Sequence, residues 1–165
     1  MKTWKIIKEI LSYVVILLVV IFIKMYVVSP IKVNGNSMFN TLYDKDIMIL
    51  NEFIYRFSDI KRYDIVVVEE DGELLIKRVI GLPGETIKCI NGEIYINDKK
   101  INDKYAYSVT NDFGEITIEE DEYFVMGDNR EVSLDSRVYG SYQEDDIRGR
   151  ASFTIYPFGR FGVKK

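Results

Sequence analysis

The stretch LLIKRVIGLPGETIKCINGEIYI, residues 74–96, alternates short apolar runs with turn residues, and this pattern is typical of β-strands. Asn91-Gly92 stands between two of the runs and favours the two-residue turn of a hairpin, because both residues tolerate a positive φ. Pro83-Gly84 is typical of a type II turn, in which proline presets φ and glycine supplies the positive φ that follows. The stretch therefore predicts antiparallel strands joined by tight turns.

Similar runs on both sides of this stretch predict further short strands. The predicted strands cover residues 47–50, 65–69, 74–80, 85–90, 93–96, 115–118, 123–126 and 150–156. A second hairpin turn is predicted at Asn97-Asp98, and a short helix at residues 146–148. No internal repeat and no linker rich in proline or serine is found, so residues 31–165 are expected to form one mainly β, antiparallel domain.

Composition excludes several classes of function. The chain has 165 residues, of which 26 are acidic and 22 basic, so it lacks the basic surplus that nucleic-acid binding uses and no nucleic-acid partner is expected. It contains no histidine, which excludes a Ser-His-Asp triad and histidine-ligated metal. The single cysteine, Cys89, cannot form an internal disulfide or a multi-cysteine metal site. Neither a metal nor a cofactor is expected.

The N-terminal segment is strongly apolar. Residues 10–23 carry no charge, and the apolar run resumes over residues 25–28 after Lys24, whose ammonium is expected to reach the membrane interface. The run is close to the roughly 20 residues that a helix needs to cross a bilayer, and no small-x-small cleavage site follows it. Residues 1–30 are therefore expected to form a short cytoplasmic N-terminus and one transmembrane helix. Because lysines precede the span, residues 31–165 are expected outside the cytoplasm.

Without histidine, a serine nucleophile needs a carboxylate or a neutral lysine as its base. Ser37 follows the sequence VNGN, which would either display it or simply form a turn. Lys77 alternates with Leu75 and Val79 along one strand face. Burial of that face would remove the proton from its amine, whereas exposure would make Lys77 an ordinary charge on an edge strand. Both interpretations stay open on these residues alone.

The segment MGDNREVSLDSRVYG, residues 126–140, is too polar and too irregular for a strand. Asp135 and Arg137 are spaced to form an ion pair, as in many surface loops. A serine in the same loop would alternatively orient a buried amine.

These three segments together resemble the sequence boxes of type I signal peptidases, the membrane-anchored Ser-Lys proteases of peptidase family S26, in their short Gram-positive-like form. The family's boxes S-M-x-P-T-L, R-G-D-I-V, the lysine box and the third box read here as SMFNTL at 37–42, RYDIV at 62–66, KRVIGLPGE at 77–85 and GDNREVSLDSR at 127–137. Order and spacing agree over essentially all of residues 31–165. The two departures are Asn40, which replaces the proline of the first box, and Tyr63, which replaces a glycine.

The resemblance implies a role for each matching residue. Ser37 is implied as the nucleophile, Lys77 as the general base and Ser133 as the serine that orients the lysine amine. The Ser37 backbone N–H, together with Gly35, is implied as the oxyanion site. The implied structural residues near the site are Asp128, Arg130, Asp135 and Arg137.

The resemblance also implies the reaction, which is removal of signal peptides from exported preproteins after small-x-small sites. The substrate is expected to add as a strand along residues 32–35 and 74–77. The expected substrate-binding residues are Asn34, Gly35, Met38, Leu75 and Ile76. For Lys77 to act as a base, its pKa has to fall below the usual value of about 10.4, through burial and with Arg78 as a neighbouring positive charge.

Other functions compete with this one. A specialised peptidase with few substrates, or a catalytically silent relative that assists assembly of surface structures such as pili, would keep the same boxes. A self-cleaving Ser-Lys repressor lacks support because no DNA-binding domain is present, and a purely structural β domain leaves the boxes unexplained.

The lipid bilayer is an expected partner. A set of apolar and aromatic residues forms either a lip at the lipid surface or ordinary core: Phe39, Phe53, Ile54, Tyr55 and Phe57.

Overall fold

The computed structural model describes residues 2–26 and 28–164, with side chains for residues 4–21 and 29–164. The helices are α1 (Lys2–Tyr26) and α2 (Ser136–Tyr139), with short 3-10 helices at Ile54–Arg56, Glu144–Asp146 and Phe158–Arg160. The strands are β1 (Val28–Lys32), β2 (Ile47–Asn51), β3 (Ile65–Glu70), β4 (Glu73–Gly81), β5 (Thr86–Ile90), β6 (Glu93–Ile96), β7 (Lys99–Lys100), β8 (Phe113–Thr117), β9 (Glu122–Met126), β10 (Tyr142–Gln143), β11 (Ile147–Tyr156) and β12 (Gly162–Val163).

The strands form two antiparallel sheets. The large sheet has the order β1-β2-β11-β3-β4-β9-β10, and β12 pairs with β11. The small sheet has the order β7-β6-β5-β8. The predicted fold class, mainly antiparallel β after an N-terminal helix, is confirmed, although the strands divide between two sheets where one unit was expected.

The predicted turns are confirmed by their backbone angles. Asn91 and Gly92 have φ of 54° and 77° between β5 and β6, and Asn97 and Asp98 have φ of 48° and 62° between β6 and β7. At the Pro83-Gly84 turn, Gly84 has φ of 72° and the N–H of Glu85 donates to the carbonyl of Leu82 at 3.2 Å. This turn carries the chain from the large sheet into the small one.

Other local predictions differ from the structure. β1 contains Pro30 and lies partly within residues 1–30; an edge strand tolerates this proline because its outer side needs no donor. The predicted helix at residues 146–148 is wrong. A 3-10 helix ends at Asp146, and Ile147 already pairs with Val68 of β3. α2 was not predicted, because four residues are too few to show helical periodicity.

α1 covers most of the predicted transmembrane segment. Within the described residues, none of the helices combines the length and apolar content needed to cross a membrane. The predicted segment includes residues 22–28, and the side chains of this part, Lys24 among them, lie outside the described residues. The anchor and the domain boundary at residue 30 stay predictions.

β4 crosses the core of the large sheet and is buried on both faces from Ile76 to Gly81. Ile76 belongs to a cluster with Val33, Met38 and Leu42. Val79 belongs to a different cluster, which includes Val66, Val125 and the half-buried Leu75. Lys77 and its neighbours on β4 therefore lie in the interior, with the segment after β1 packed against one side.

Candidate active site

Ser37 lies in a turn that is fixed on both sides. Before it, the N–H of Gly35, whose φ is 83°, donates to Asp44 Oδ1 at 3.0 Å. After it, Met38 is fully buried, and its carbonyl accepts from the N–H groups of Thr41 and Leu42 at 3.0 and 2.8 Å. The turn and the buried methionine together hold Ser37 half-exposed at the edge of the core.

Lys77 comes from the middle of β4, opposite Val66 of β3. Its side chain crosses to the Ser37 turn, where Nζ donates to Ser37 Oγ at 3.1 Å. Only 4% of Lys77 is exposed. The structure thus brings together, within hydrogen-bond distance, two residues that are 40 positions apart in the sequence.

Burial lowers the pKa of Lys77 to about 8. Asp135 opposes this shift, and the positive charge of Arg137 contributes to it. The contribution expected from Arg78 stays a prediction; successive residues on a strand point to opposite faces, and the Arg78 guanidinium lies against a carboxylate. Burial is the main cause, and it decides between the two interpretations that the alternation with Leu75 and Val79 left open.

Arg78 and Asp128 form a fully buried ion pair. Arg78 Nε and Nη2 donate to the two Asp128 oxygens at 2.7 Å each. Thr41 Oγ1 also donates to Asp128, at 2.5 Å. Arg78 and Thr41 were not among the predicted site residues, although each stands inside a family box. The pair ties β4 to the loop after β9 and to the turn that follows Ser37.

Gly127 was also missed by sequence reasoning. The N–H of the nearby Asn129 donates to the Ser37 carbonyl at 2.9 Å, so this loop packs directly on the backbone of Ser37. A Cβ on Gly127 would overlap both Ser133 Oγ and the Ser37 carbonyl oxygen. Only glycine lets the loop approach Ser37 so closely. The sequence feature that could have indicated Gly127 is that it is the first residue of the third family box.

Ser133 and Asp135 lie on the other side of Gly127. Asp135 accepts from Arg137 Nε and Nη2 at 2.8 Å each, and from the N–H of Gly127 at 2.9 Å. Burial alone would raise the pKa of Asp135, but the hydrogen bonds from Arg137 and Gly127 outweigh it and lower the pKa. Lys77 Nζ makes no hydrogen bond to Ser133 in the described residues. The lysine-orienting role of Ser133 therefore stays a prediction.

Arg130 fixes the same loop to the small sheet. Its Nε donates to the carbonyl of Gly127 at 2.8 Å, and Nη1 donates to Thr110 Oγ1 at 2.8 Å. Nη1 also lies 2.5 Å from Asp103 Oδ2. The predicted scaffold residue thus connects the site to the segment between β7 and β8.

Comparison with known proteins identifies the family of this chain. A family profile described as "Signal peptidase, peptidase S26" matches residues 6–156. The chain belongs to this family. Signal peptidase I of Bacillus amyloliquefaciens is 36% identical over 166 residues, which cover 93% of this chain and 90% of the relative. Signal peptidase I U of Bacillus subtilis (strain 168) is 37% identical over 170 residues, 94% of this chain and 90% of the relative.

A solved structure supports the same assignment. The crystal structure of a signal peptidase I from Enterococcus faecalis V583 superposes with a TM-score of 0.52 at 31% identity, covering 56% of this chain and 97% of that chain. The predicted family is confirmed, and with it the prediction that this S26 peptidase is a serine endopeptidase of the signal peptidase type.

A small cavity of about 50 Å³ adjoins the Ser-Lys pair of the S26 peptidase. Its lining residues are Lys32, Val33, Asn34, Ser37, Met38, Leu74, Leu75, Ile76 and Lys77. Four of the predicted substrate-binding residues line it, whereas Gly35 lies outside it. A larger cavity of about 540 Å³ lies against the small sheet, away from Ser37 and Lys77.

The aromatic residues predicted to form either a lip or core lie in different surroundings in the S26 peptidase. The Phe39 ring lies beside the site, 5.1 Å from the ring of Tyr43 and 4.7 Å from that of Tyr107. Phe53 contacts Phe57, which is 80% exposed, at 5.4 Å between ring centroids. The half-buried Tyr55 turns inward and donates from its hydroxyl to Asp64 Oδ2 at 3.1 Å. Tyr55 thus packs against the core, whereas Phe57 is exposed, and a lip at the lipid surface stays a prediction.

Proposed function

We propose that this signal peptidase removes N-terminal signal peptides from exported preproteins, with Ser37 as the nucleophile and Lys77 as the general base. The observation that carries the proposal is the 3.1 Å contact between Lys77 Nζ and Ser37 Oγ. Burial lowers the pKa of this amine to about 8, so a substantial fraction is neutral in mildly alkaline solution. A neutral amine has the lone pair that a base needs.

The reaction follows from this geometry. Neutral Lys77 accepts the proton of the Ser37 hydroxyl as Oγ attacks the scissile carbonyl, and the ammonium then protonates the amine of the departing mature protein. This leaves the signal peptide as an ester on Ser37. Lys77 next takes a proton from water, which attacks the ester, and returns that proton to Ser37. Atoms and protons balance over the two steps without a metal or cofactor.

The developing oxyanion requires a backbone donor. The N–H of Gly35 already donates to Asp44, so it does not supply one. Among the described residues, the N–H of Ser37 has no acceptor within hydrogen-bond distance. We assign the oxyanion to this N–H, and to Gly35 the role of keeping the approach free of a side chain.

The substrate is proposed to bind as an added strand. In the described sheet, β9 pairs only with the upper part of β4, at Arg78, Val79 and Gly81, which leaves the edge from Glu73 to Lys77 free on that side. β1 is an edge strand of the same sheet. The cavity between these edges has a volume of about 50 Å³, which suits an alanine side chain and excludes large ones. Small residues before the cleavage site follow from this size.

The membrane topology forms part of the proposal. α1 is proposed as the anchor, with the N-terminus in the cytoplasm and the sheets outside it. The nine residues that follow Val28, up to and including Ser37, reach about 30 Å at most when extended. Cleavage therefore takes place near the bilayer surface, where a preprotein held by its own signal peptide is within reach.

The test compares detergent-solubilised wild type with Ser37→Ala on a preprotein that carries an Ala-x-Ala junction, with product mass as the readout. Cleavage after the second alanine by wild type alone is the expected result. Cleavage by the Ser37→Ala variant would overturn the assignment of the nucleophile. If neither protein cleaves this substrate or a panel of other preproteins, the proposed substrate class is wrong.

A further inference from the structure

The connection between β7 and β8 reaches out of the small sheet and lies along the loop between β9 and α2, residues 127–135, which is named the catalytic loop here. The N–H of Tyr107 donates to the carbonyl of Asp128 at 2.8 Å, and the Tyr107 ring packs edge-on against Phe39 at 4.7 Å between centroids. These contacts hold the next residue, Ser108, beside Asn129. The proposed mechanism assigns no role to this part of the small sheet.

Asn129 is hydrogen-bonded to the peptide groups on both sides of Ser37. Its N–H donates to the Ser37 carbonyl at 2.9 Å, and its side-chain Nδ2 donates to the Asn36 carbonyl at 3.2 Å. The Asn36 carbonyl and the Ser37 N–H belong to one planar trans peptide group, in which they point in opposite directions. Holding that carbonyl therefore also sets the direction of the Ser37 N–H, the proposed oxyanion donor.

Ser108 sets which way the Asn129 amide faces. Ser108 Oγ accepts from the N–H of Glu131 at 3.2 Å, which leaves its hydroxyl proton to be donated to Asn129 Oδ1 at 3.1 Å. With its oxygen engaged by a donor, the amide presents its nitrogen to the Asn36 carbonyl. A reversed amide would face that carbonyl with a second acceptor and lose the bond.

We propose that Ser108 is a positioning residue for catalysis, and that it orients the oxyanion donor of Ser37 through the side chain of Asn129. The proposal rests on the proposed function, because it assigns the oxyanion to the Ser37 N–H. It predicts a defect in transition-state binding and none in the base, since among the described residues neither Ser108 nor Asn129 is hydrogen-bonded to Lys77.

The experiment measures kcat and KM on a peptide with an Ala-x-Ala junction for wild type, Ser108→Ala, Ser108→Thr and Asn129→Asp. We expect Ser108→Ala to lower kcat about 10-fold with KM unchanged, and Ser108→Thr, which keeps the hydroxyl, to restore most of it. Asn129→Asp keeps the shape but replaces the Nδ2 donor with an acceptor, so a loss of about 100-fold is expected. Ser152→Ala, which removes a hydroxyl from β11, is the matched control with unchanged kcat.

Two further readouts separate positioning from simple loss of structure. A peptide aldehyde ending in alanine adds to Ser37 and forms an oxyanion, so its affinity should fall by the same factor as kcat across the series. The pH at half-maximal kcat should stay that of wild type, because the Lys77 amine is untouched.

Several results would overturn the proposal. One is a Ser108→Ala variant with wild-type kcat and aldehyde affinity in an enzyme that cleaves normally. Another is a shift of the pH midpoint, which would place the defect at the base. A kcat loss that Ser108→Thr does not restore, together with a lower melting temperature, would reduce Ser108 to a structural residue. Lack of cleavage by wild type would instead count against the proposed function.

Discussion

The two faces of β4 hold neighbouring buried cations in different ways. On one face, Arg78 is matched by the Asp128 carboxylate through two hydrogen bonds of 2.7 Å. On the other, Lys77 contacts the neutral hydroxyl of Ser37. Burial is almost complete for both side chains, so the presence of a carboxylate partner is the difference between them. The cation with a carboxylate partner is suited to a structural role, and the one without it is the proposed base.

On the face of β4 that holds Lys77, the nearby Asp135 does not act as a counter-charge to the amine. It is near enough to raise the pKa of Lys77, yet its oxygens are occupied by Arg137 and by the N–H of Gly127. Because this carboxylate is already paired, it does not form an ion pair with the amine. The Asp135–Arg137 pair thus preserves the low pKa of Lys77 as well as the shape of the loop.

The largest expected effect is on the base itself. Lys77→Ala and Lys77→Arg should each reduce kcat about 10⁴-fold or more, because alanine has no lone pair to offer and a guanidinium keeps its proton. Peptide cleavage measured by mass, with circular dichroism as a folding control, checks this. Substantial activity in Lys77→Arg would show that the base lies elsewhere and would break the contrast between the two faces.

Replacing Arg78 and Lys77 by methionine, one at a time, should change the free energy of unfolding in opposite directions. Arg78→Met leaves the Asp128 carboxylate buried without its partner and should destabilise the fold by about 3–5 kcal/mol. Lys77→Met removes an amine that burial makes costly to keep charged, and at pH 7 it should stabilise the fold by up to about 3 kcal/mol. Urea denaturation of the two variants measures this; two changes of the same sign would contradict the comparison.

Gly127→Ala tests how closely the loop must approach Ser37. The added methyl group overlaps Ser133 Oγ and the Ser37 carbonyl, so the loop has to move, and we expect kcat to fall about 100-fold. Gly114→Ala in β8 is the matched control, since a Cβ there meets no atom within 4 Å and should leave kcat unchanged. Equal activity in the two variants would show that the loop tolerates displacement.

The smallest expected effect is the pH dependence of kcat, which reports most directly on the pKa of Lys77. Because the neutral amine is the active form, kcat should rise about tenfold per pH unit below pH 8 and level off above it. The unfolded chain keeps this proton up to about pH 10.5, whereas the folded protein releases it near pH 8, so the Lys77 contribution to the free energy of unfolding increases with pH between these values. A kcat midpoint near 10.5 would mean that Lys77 is not desolvated.

The sequence predicted the fold class and the turns well, because they depend on local rules. Asn91-Gly92 and Pro83-Gly84 need only their own backbone preferences, and both turns form as predicted. Ser37 and Lys77 were found through the family boxes, since alternation alone left burial of the lysine undecided. The same alternation should have placed Arg78 on the opposite face, but nothing local indicated its partner, Asp128, which lies 50 residues away.

Other features depend on contacts that no local pattern carries. Ser108 and Asn129 meet only because the small sheet folds back onto the catalytic loop, so neither the boxes nor the strand pattern indicated Ser108.

Tyr63, one of the two departures from the family boxes, has φ of 74°, the left-handed conformation that glycine adopts readily. Its ring lies 5.4 Å from that of Tyr105, and its hydroxyl donates to the carbonyl of Asn102 at 3.1 Å. These two contacts hold the Tyr63 side chain against the segment between β7 and β8.

The free edge of β4 also bears on how the protein avoids aggregation. An unpaired strand edge that accepts a substrate can equally pair with the same edge of another copy. Next to it, the β3–β4 hairpin carries an acidic tip formed by Glu69, Glu70, Asp71 and Glu73. Two copies approaching edge to edge would bring these charges together and repel each other, whereas an uncharged segment of a preprotein would not be repelled. The hairpin tip is thus expected to discourage self-association and to leave the proposed substrate-binding edge of β4 open.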